Sequence, residues 1–173
     1  MPAIIRGFGG KTPRLGSGVF VADTAVVTGD VELADGVNVW FGSVLRGDVG
    51  WIRVGARTNI QDLSMLHMSH AISNAEIGED VTVGHGVIIH GAIIGSGALI
   101  GMGSILLDNA EIGEEALVAA GTLVTKGTKV PPRHLIRGNP GKVVRELEPE
   151  EWKAGRELAA RYVELARGYL GGI

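Results

Sequence analysis

The sequence predicts an all-β solenoid of short strands, followed by one C-terminal α-helix. Three observations carry this prediction: a six-residue aliphatic repeat through most of the 173 residues, the 28 glycines, and a change to helical spacing near the C-terminus. Only 5% of the residues are aromatic, as expected for a core of thin aliphatic layers. The period of about 3.6 residues that marks an amphipathic helix is absent from the repeats.

An aliphatic side chain recurs every six positions in four runs. The runs are Val21, Val27, Leu33, Val39 and Leu45, then Val54, Ile60 and Leu66, then Ile77, Val83 and Ile89, then Ile94, Ile100, Leu106, Ile112, Val118, Val124 and Val130. A small or β-branched residue follows most of them four places later, as at Ala25 and Ala98. Each unit therefore supplies one large and one small inward residue, which describes a strand and a turn. Three such units close a triangular coil of about 18 residues, and the coils stack.

The pattern changes after the repeats. The turn Gly138-Asn139-Pro140-Gly141 predicts an end to strand propagation. From about Pro149 to Leu170 the apolar residues fall at helical spacing. We expect this helix to cover a face of the solenoid or the open edge of its last coil. The predicted organisation is a β-helix domain over residues 1–147, with residues 148–173 as a helix packed on the same domain.

Composition limits the classes of function. The net charge is −3 and the pI is near 5.9, without a basic run interleaved with aromatics, so nucleic-acid binding is not expected. The sequence shows no signal-peptide pattern and no apolar stretch long enough to span a bilayer, which predicts a cytoplasmic protein without membrane binding. Because the chain has no Cys, a metal site must use His or carboxylate ligands.

The repeat is interrupted twice. The step between aliphatic positions is nine residues after Leu45 and eleven after Leu66, so two loops are expected to bulge from the prism. Insertions in repeat proteins often carry function. The first contains Arg46-Gly47-Asp48, and the second contains His67 and His70.

Three histidines point to a metal. His67, His85 and His90 each follow an inward position by one or two residues, so they face outward. His85 and His90 lie five residues apart across a corner, and a neighbouring subunit would relieve that difficulty by supplying one ligand. Three imidazoles leave an open position for a water whose pKa the ion lowers to about 7, which produces a hydroxide nucleophile. Zn²⁺ suits this set, as do Fe²⁺ and Co²⁺. The alternative is three unrelated exposed histidines.

Six motifs then occur in a recognisable order and spacing: Arg46-Gly47-Asp48, Thr58-Asn59-Ile60-Gln61-Asp62, His67, Val83-Gly84-His85, Ile89-His90-Gly91, and Leu99-Ile100-Gly101-Met102-Gly103. Over about residues 4–147 the chain resembles the gamma-class carbonic anhydrase-like family. The resemblance implies a left-handed parallel β-helix and a homotrimer. It also implies a metal shared between subunits, with His67 and His90 from one chain and His85 from its neighbour.

The resemblance also implies roles for polar neighbours. Arg46, Asp48 and Asp62 would form an ion-pair network at the subunit interface. Gln61 and Asn59 would hydrogen-bond a metal-bound hydroxide or bicarbonate. The alternatives are an ordinary surface ion pair, worth under about 1 kcal/mol, and amides that stabilise a turn.

The implied reaction is that of a lyase, the reversible hydration of CO2 to bicarbonate by a metal-bound hydroxide. The best-studied member of the family carries acidic proton-shuttle residues in the first loop and three places after the first histidine. Here Val49-Gly50 and His70 stand at those places, which puts turnover in doubt. His70 either takes over proton transfer or is an exposed loop residue. Tyr162 of the terminal helix is a candidate pocket residue, and packing on the apolar face of the helix is its alternative role.

Two other classes of function remain open. A hexapeptide acyltransferase using coenzyme A would share the repeat, and the Gly138-Asn139-Pro140 turn followed by Lys142 and Arg145 supports it. A non-catalytic metal-binding scaffold would share the histidines. Metal content separates the acyltransferase from the other two, and CO2 hydration separates the enzyme from the scaffold.

Overall fold

Most strands of the computed structural model, which describes residues 3–171, are two or three residues long, because the chain turns a corner after each six-residue unit. In chain order the strands are β1 (Ile4–Arg6), β2 (Arg14–Leu15), β3 (Phe20–Val21), β4 (Val26–Leu33), β5 (Asn38–Val39), β6 (Val44–Val54), β7 (Asn59–Ile60), β8 (Met65–His67), β9 (Ala75–Ile77), β10 (Thr82–Val83), β11 (Ile88–His90), β12 (Ile93–Ile94), β13 (Leu99–Ile100), β14 (Ile105–Leu106), β15 (Glu111–Ile112), β16 (Leu117–Val118), β17 (Leu123–Val124), β18 (Lys129–Val130), β19 (His134–Gly138) and β20 (Gly141–Glu146). They wind into a left-handed parallel β-helix of about seven turns, which confirms the predicted fold class.

The strands stack into three faces. Face one contains β3, β5, β7, β10, β13, β16, β19 and β20. Face two contains β1, the first halves of β4 and β6, and then β8, β11, β14 and β17. Face three contains β2, the second halves of β4 and β6, and then β9, β12, β15 and β18. Because β4 and β6 bend through a corner, faces two and three form one 12-stranded sheet.

The aliphatic columns form the core. Every predicted large inward residue from Val27 to Val130 is buried, and only Val21 in the first coil is partly exposed. The small inward positions are buried too, and their hydroxyls are satisfied by neighbouring backbone. Ser43 Oγ, for example, donates to the Gln61 carbonyl at 2.7 Å. Among residues 3–171 no buried side-chain nitrogen or oxygen lacks a partner.

The two interruptions take different forms. The first was expected to be a loop, and that expectation is wrong: β6 runs through it, with three extra residues, 48–50, bulging between the pairs Gly29–Gly47 and Asp30–Trp51. The strand survives because pairing with β4 continues on both sides. The second interruption is a true loop, residues 68–74, between β8 and β9.

The chain does not stop forming strands at Gly138–Gly141, contrary to expectation. It reverses there, and β20 returns antiparallel along β19, so this hairpin covers the edge of face one. The predicted C-terminal helix follows as a short turn α1 (Pro149–Trp152) and the main helix α2 (Ala154–Leu170). Helix α2 crosses face one, which is the first of the two positions expected for it, a face of the solenoid or the open edge of the last coil. No helix among residues 3–171 is both long and apolar enough to cross a membrane.

Helix α2 is anchored to the solenoid by charge. Arg156 contacts Asp80 at 3.1 Å and Glu115 at 3.0 Å, and these acids also pair with Arg57 and Arg133 at 2.6 and 2.7 Å. The Arg57 hydrogen bond lowers the pKa of Asp80 in spite of partial burial. Burial alone would raise the pKa of Glu115, but the two arginines outweigh it and the pKa is also lowered. The cluster therefore connects the helix to several coils.

The inward and outward positions of β12 give a matched pair for testing the register. Ile94 is 2% exposed and Ile93 is 46% exposed on the same two-residue strand. Ile94→Lys leaves an unpaired charge in the core, so we expect a loss of several kcal/mol and aggregated protein. Ile93→Lys lies between Glu76 and Glu111 of face three and should remain folded. A soluble Ile94→Lys protein with the wild-type circular dichroism spectrum and melting temperature would contradict this register.

The lowered pKa of Asp80 predicts an acid-sensitive contribution to stability. Because the folded chain holds this proton less tightly than the unfolded chain, the contribution is present above the unfolded pKa and is lost as the pH falls through the folded value. Asp80→Asn, which also tolerates the positive φ of 54°, should cost about 1–3 kcal/mol at pH 7. Thermal unfolding midpoints of wild type and variant should converge as the pH drops from about 5 towards 2.

Asp23→Asn is the control for this series, because Asp23 is exposed and makes no ion pair within residues 3–171. A difference between wild type and Asp80→Asn that stays constant with pH would show that the carboxylate charge does not hold the cluster together.

Candidate active site

Two of the three predicted histidines are neighbours on face two. The strands β8 and β11 are adjacent, and their register pairs His67 with His90. The ring centroids are 5.6 Å apart, and the side chains are 16% and 33% exposed. Loop 68–74 lengthens one coil without shifting the register, so the two rings lie one above the other at the same corner.

The third histidine lies on another part of the surface. His85 follows β10 of face one and is 46% exposed, with Nδ1 2.9 Å from Asp62 Oδ2. Within residues 3–171 of one chain, no three histidine or acidic side chains converge in a way that could hold an ion. One chain therefore presents two separate parts of the predicted ligand set, the His67–His90 pair and His85.

A carboxylate accompanies each histidine. His67 Nε2 shares a hydrogen bond with Asp48 Oδ1 at 3.0 Å, and His90 Nδ1 lies 3.3 Å from Asp108 Oδ1. The Asp62 contact of the third ring completes the pattern. Metal-binding histidines commonly offer one ring nitrogen to the ion and the other to a carboxylate, which fixes the ring orientation. The donor set and its supporting acids thus fit a three-histidine metal site.

The predicted ion-pair residues are divided in the same way. Arg46 Nη1 donates to Asp48 Oδ2 at 2.6 Å. Burial would raise the pKa of Asp48, but hydrogen bonds from Arg46 and His67 keep it below its usual range. Asp62 lies beside His85 instead. The site within one chain therefore has an Arg46–Asp48–His67 part and an Asp62–His85 part.

Asn59 and Gln61 are buried between face one and α2. Gln61 Nε2 donates to Asn59 Oδ1 at 3.1 Å. The Asn59 amide donates to Thr82 Oγ1 at 2.9 Å and to the Val81 carbonyl at 3.2 Å. The Thr82 hydroxyl in turn donates a hydrogen bond to the Gly155 carbonyl of α2 at 2.9 Å. Asn59 therefore holds the Gln61 amide in place, and this chain of hydrogen bonds extends to the helix.

A largely apolar groove of about 400 Å³ runs beside His85 between face one and α2. Its lining includes Gln61, Leu99, Met102, Leu117, Leu158 and Tyr162. Tyr162 also packs edge-on against Trp40, with centroids 5.3 Å apart, so it meets both descriptions proposed from the sequence. Burial, and then the charge of Asp62, raise the pKa of Tyr162, so its hydroxyl stays protonated.

The two positions that the sequence comparison singled out for proton transfer, Val49 and His70, contact each other. His70 is exposed in loop 68–74, and its Nδ1 lies 3.3 Å from the Val49 carbonyl of the β6 bulge. Both insertions therefore meet near His67. The His70 imidazole is exposed at this point, and its role in proton transfer stays a prediction.

Sequence reasoning missed Asp108 and the two serines that hold it. Asp108 accepts hydrogen bonds from Ser69 Oγ at 3.0 Å and from Ser73 Oγ. Burial would raise its pKa, but the serine hydrogen bonds and the nearby His90 keep that pKa below its usual range. Asp108 follows His90 by 18 residues, about one coil, and this spacing was the available signal. The two are not equivalent in the repeat, because Ile89 pairs with Leu106 and Asp108 lies in the corner after β14.

Comparison with known proteins gives matches along nearly the whole chain. Residues 91–126 match the family model described as bacterial transferase hexapeptide (six repeats). The chain is 44% identical to Protein YrdA of Escherichia coli, over 98% of this chain and 96% of that protein. It is 48% identical to a carbonic anhydrase of Geobacillus kaustophilus, over 92% and 87% of the two chains. The crystal structure of a hexapeptide transferase family protein from Anaplasma phagocytophilum superimposes with a TM-score of 0.90 at 38% identity, covering 96% and 98%.

Proposed function

Because this chain belongs to the gamma-class carbonic anhydrase-like family of hexapeptide-repeat proteins, we propose that it is a metal-dependent enzyme catalysing the reversible hydration of CO2. Its sites form between the subunits of a homotrimer. The observation that carries the proposal is the set of three outward histidines, each beside its own carboxylate, divided between two parts of the surface.

The ligands are His67 and His90 of one chain and His85 of the next. Zn²⁺ is the expected ion, and Fe²⁺ or Co²⁺ suits the same three imidazoles. The ion, when bound, acts as a Lewis acid that brings the pKa of a coordinated water to about 7. The carboxylates beside the rings hold the ligands in a fixed orientation before any ion arrives.

The outward side chains of the three faces support a trimer. On face three they are mainly charged: Glu32, Arg53, Glu76, Glu111 and Lys129. On face one α2 covers them from β3 to β13. On face two they form an apolar column: Val26, Val44, Met65, Ile88, Ile105 and Leu123.

This column runs along the same face as His67 and His90, and Ile4 of β1, which pairs with Val26, continues it. Its most exposed members are Ile4 at 48% and Ile88 at 39%. A continuous apolar strip on a folded chain favours contact with another protein surface. The partner must contribute His85, which lies on a different part of its surface from the His67–His90 pair. The contact therefore joins two different surfaces, head to tail, and three copies close into a ring.

The remaining residues act on the substrate. The groove beside His85 is apolar enough to accept CO2. Gln61, held by Asn59, presents its second N–H to an oxygen of CO2 or bicarbonate. Tyr162 closes the helix side of the groove and keeps water out. His70, exposed in the loop that follows His67, exchanges the released proton with solvent, since an exposed imidazole can both accept and donate a proton.

An acyltransferase is the second candidate, because the matching family model and a solved relative carry transferase names. The hairpin turn Gly138–Gly141 with Lys142 and Arg145 was its sequence support. Arg145, however, pairs with Glu151 through both nitrogens at 2.6 Å, so it is already occupied by a carboxylate. A metal-binding scaffold without catalysis differs from the main proposal only in CO2 hydration.

His90→Ala should remove bound metal and CO2 hydration together, since one of three ligands is lost. The far-UV spectrum should keep its β-rich form, because this side chain faces outward. The measurement is elemental analysis combined with a stopped-flow hydration assay on anaerobically purified protein. His134→Ala on the β19–β20 hairpin is the control and should keep both properties. Unchanged metal content in His90→Ala would refute the ligand assignment, and wild-type protein that holds metal without activity would favour the scaffold.

Mixing two inactive variants tests whether the site is shared. His85→Ala and His90→Ala proteins each lack one ligand in every site, so neither binds metal alone. In a mixed trimer, one interface joins an intact His67–His90 pair to an intact His85. Refolding the two together in equal amounts should restore metal and activity at about a quarter of the sites. No recovery, in mixed trimers verified by mass spectrometry, would place the whole ligand set within one chain.

A further inference from the structure

The Asp108 carboxylate lies at the point where three segments of the chain meet. It is 17% exposed and has four polar neighbours. These are the Ser69 backbone N–H at 3.4 Å, Ser69 Oγ at 3.0 Å, Ser73 Oγ, and His90 Nδ1 at 3.3 Å. The three serine contacts are hydrogen bonds and the His90 ring lies at ion-pair distance, so the position of this partly buried acid is closely defined.

The two serines come from the loop that follows His67. Within this loop the Ile72 and Ser73 N–H groups both donate to the Ser69 carbonyl, at 3.2 and 3.3 Å, which folds residues 69–73 into a compact turn. The turn brings both hydroxyls to the same carboxylate. Asp108 therefore fastens the loop after one histidine to the coil after the other.

Gly91 shows how little space the cluster leaves. A Cβ at this position would lie 1.9 Å from Ser73 Oγ and 2.7 Å from Asp108 Oδ1, and the φ of 69° also favours glycine. The residue next to His90 is thus restricted to glycine by the same contacts that surround the carboxylate.

We propose that Asp108 is a positioning residue, which accepts the Nδ1–H of His90 and so leaves Nε2 of that ring directed to the ion, while Ser69 and Ser73 hold the carboxylate in place. The carboxylate beside His90 and the tautomer of its ring are then fixed before metal binds, as in other carboxylate–histidine pairs. This role of Asp108 rests on the proposed function. The tautomer of His90, however, is a property of the metal-free chain and can be measured without an ion.

The test begins with ¹⁵N NMR of the His90 ring in metal-free protein at a pH above 7.5. We expect the Nδ1–H tautomer to dominate in wild type and to give way to a mixture in Asp108→Asn, whose side-chain amide offers a donor as well as an acceptor. Asp35→Asn is the control, since Asp35 accepts a backbone hydrogen bond from Ser17 at another corner of the solenoid. It should leave the spectrum of His90 unchanged.

Zinc affinity, measured by competition with a chromophoric chelator, gives the second readout. Asp108→Asn should bind zinc about 10- to 100-fold more weakly, whereas the Asp35→Asn control should match wild type. The double variant Ser69→Ala/Ser73→Ala keeps the carboxylate, so it should keep the tautomer and lose less affinity.

The outcomes separate the two proposals. An Nε2–H tautomer in the wild-type spectrum would overturn the role of Asp108, and this holds even if Asp108→Asn fails to fold. Equal zinc affinity in wild type and a folded Asp108→Asn would overturn it too. Wild-type protein with the Nδ1–H tautomer but no zinc binding would refute the proposed metal site and leave the positioning of His90 by Asp108 standing.

Discussion

The structure depends on the stacking of coils in constant register. Every coil leaves its backbone groups unpaired on both edges, and the next coil satisfies them only when equivalent positions align. The same alignment buries the aliphatic columns and places outward residues of successive coils above one another. His67 and His90 share a corner for this reason, since their strands pair residue for residue, and Asp108 of the following coil lies beside His90. Insertions are tolerated only where they leave that register intact.

Much of the fold follows from periodicity alone. Six-residue spacing correctly identified the inward residues from Val27 to Val130. The thin triangular core has room for one large side chain per strand and excludes unpaired charges, so aliphatic residues must recur at these positions. The left-handed winding came only from the family resemblance, since a periodic pattern is the same in either hand. The continuity of β6 and the β19–β20 hairpin were missed, because backbone pairing across the sheet decides both and the local sequence does not show it.

The site was predicted in part for the same reasons. Outward histidines could be identified from their offset to inward positions. Asp108 and Ser73 lie 35 residues apart, and their contact depends on the fold of loop 68–74, which lacks the repeat. The role of Asn59 in holding Gln61 likewise requires knowing that Thr82 stacks beside it on the next coil. Spacing therefore found the residues that face outward, while the contacts that orient them required coordinates.

The division of the site between two parts of the surface relates assembly to chemistry. A rigid solenoid cannot bring His85 to the His67–His90 pair, because His85 lies in the corner before β11 and His90 at the far end of that strand. Under the proposed function a second copy joins them, and the apolar column of face two is the surface proposed for that contact. Metal binding, trimer formation and substrate access would then be one event, in which isolated subunits lack a complete ligand set.

The most direct measurement is anomalous X-ray diffraction at the zinc edge from crystals of zinc-loaded protein. An ion at each subunit interface, bound by His67 and His90 of one chain and by His85 of the partner subunit, is the predicted result, whereas an interface without zinc, or zinc held within a single chain, would contradict it.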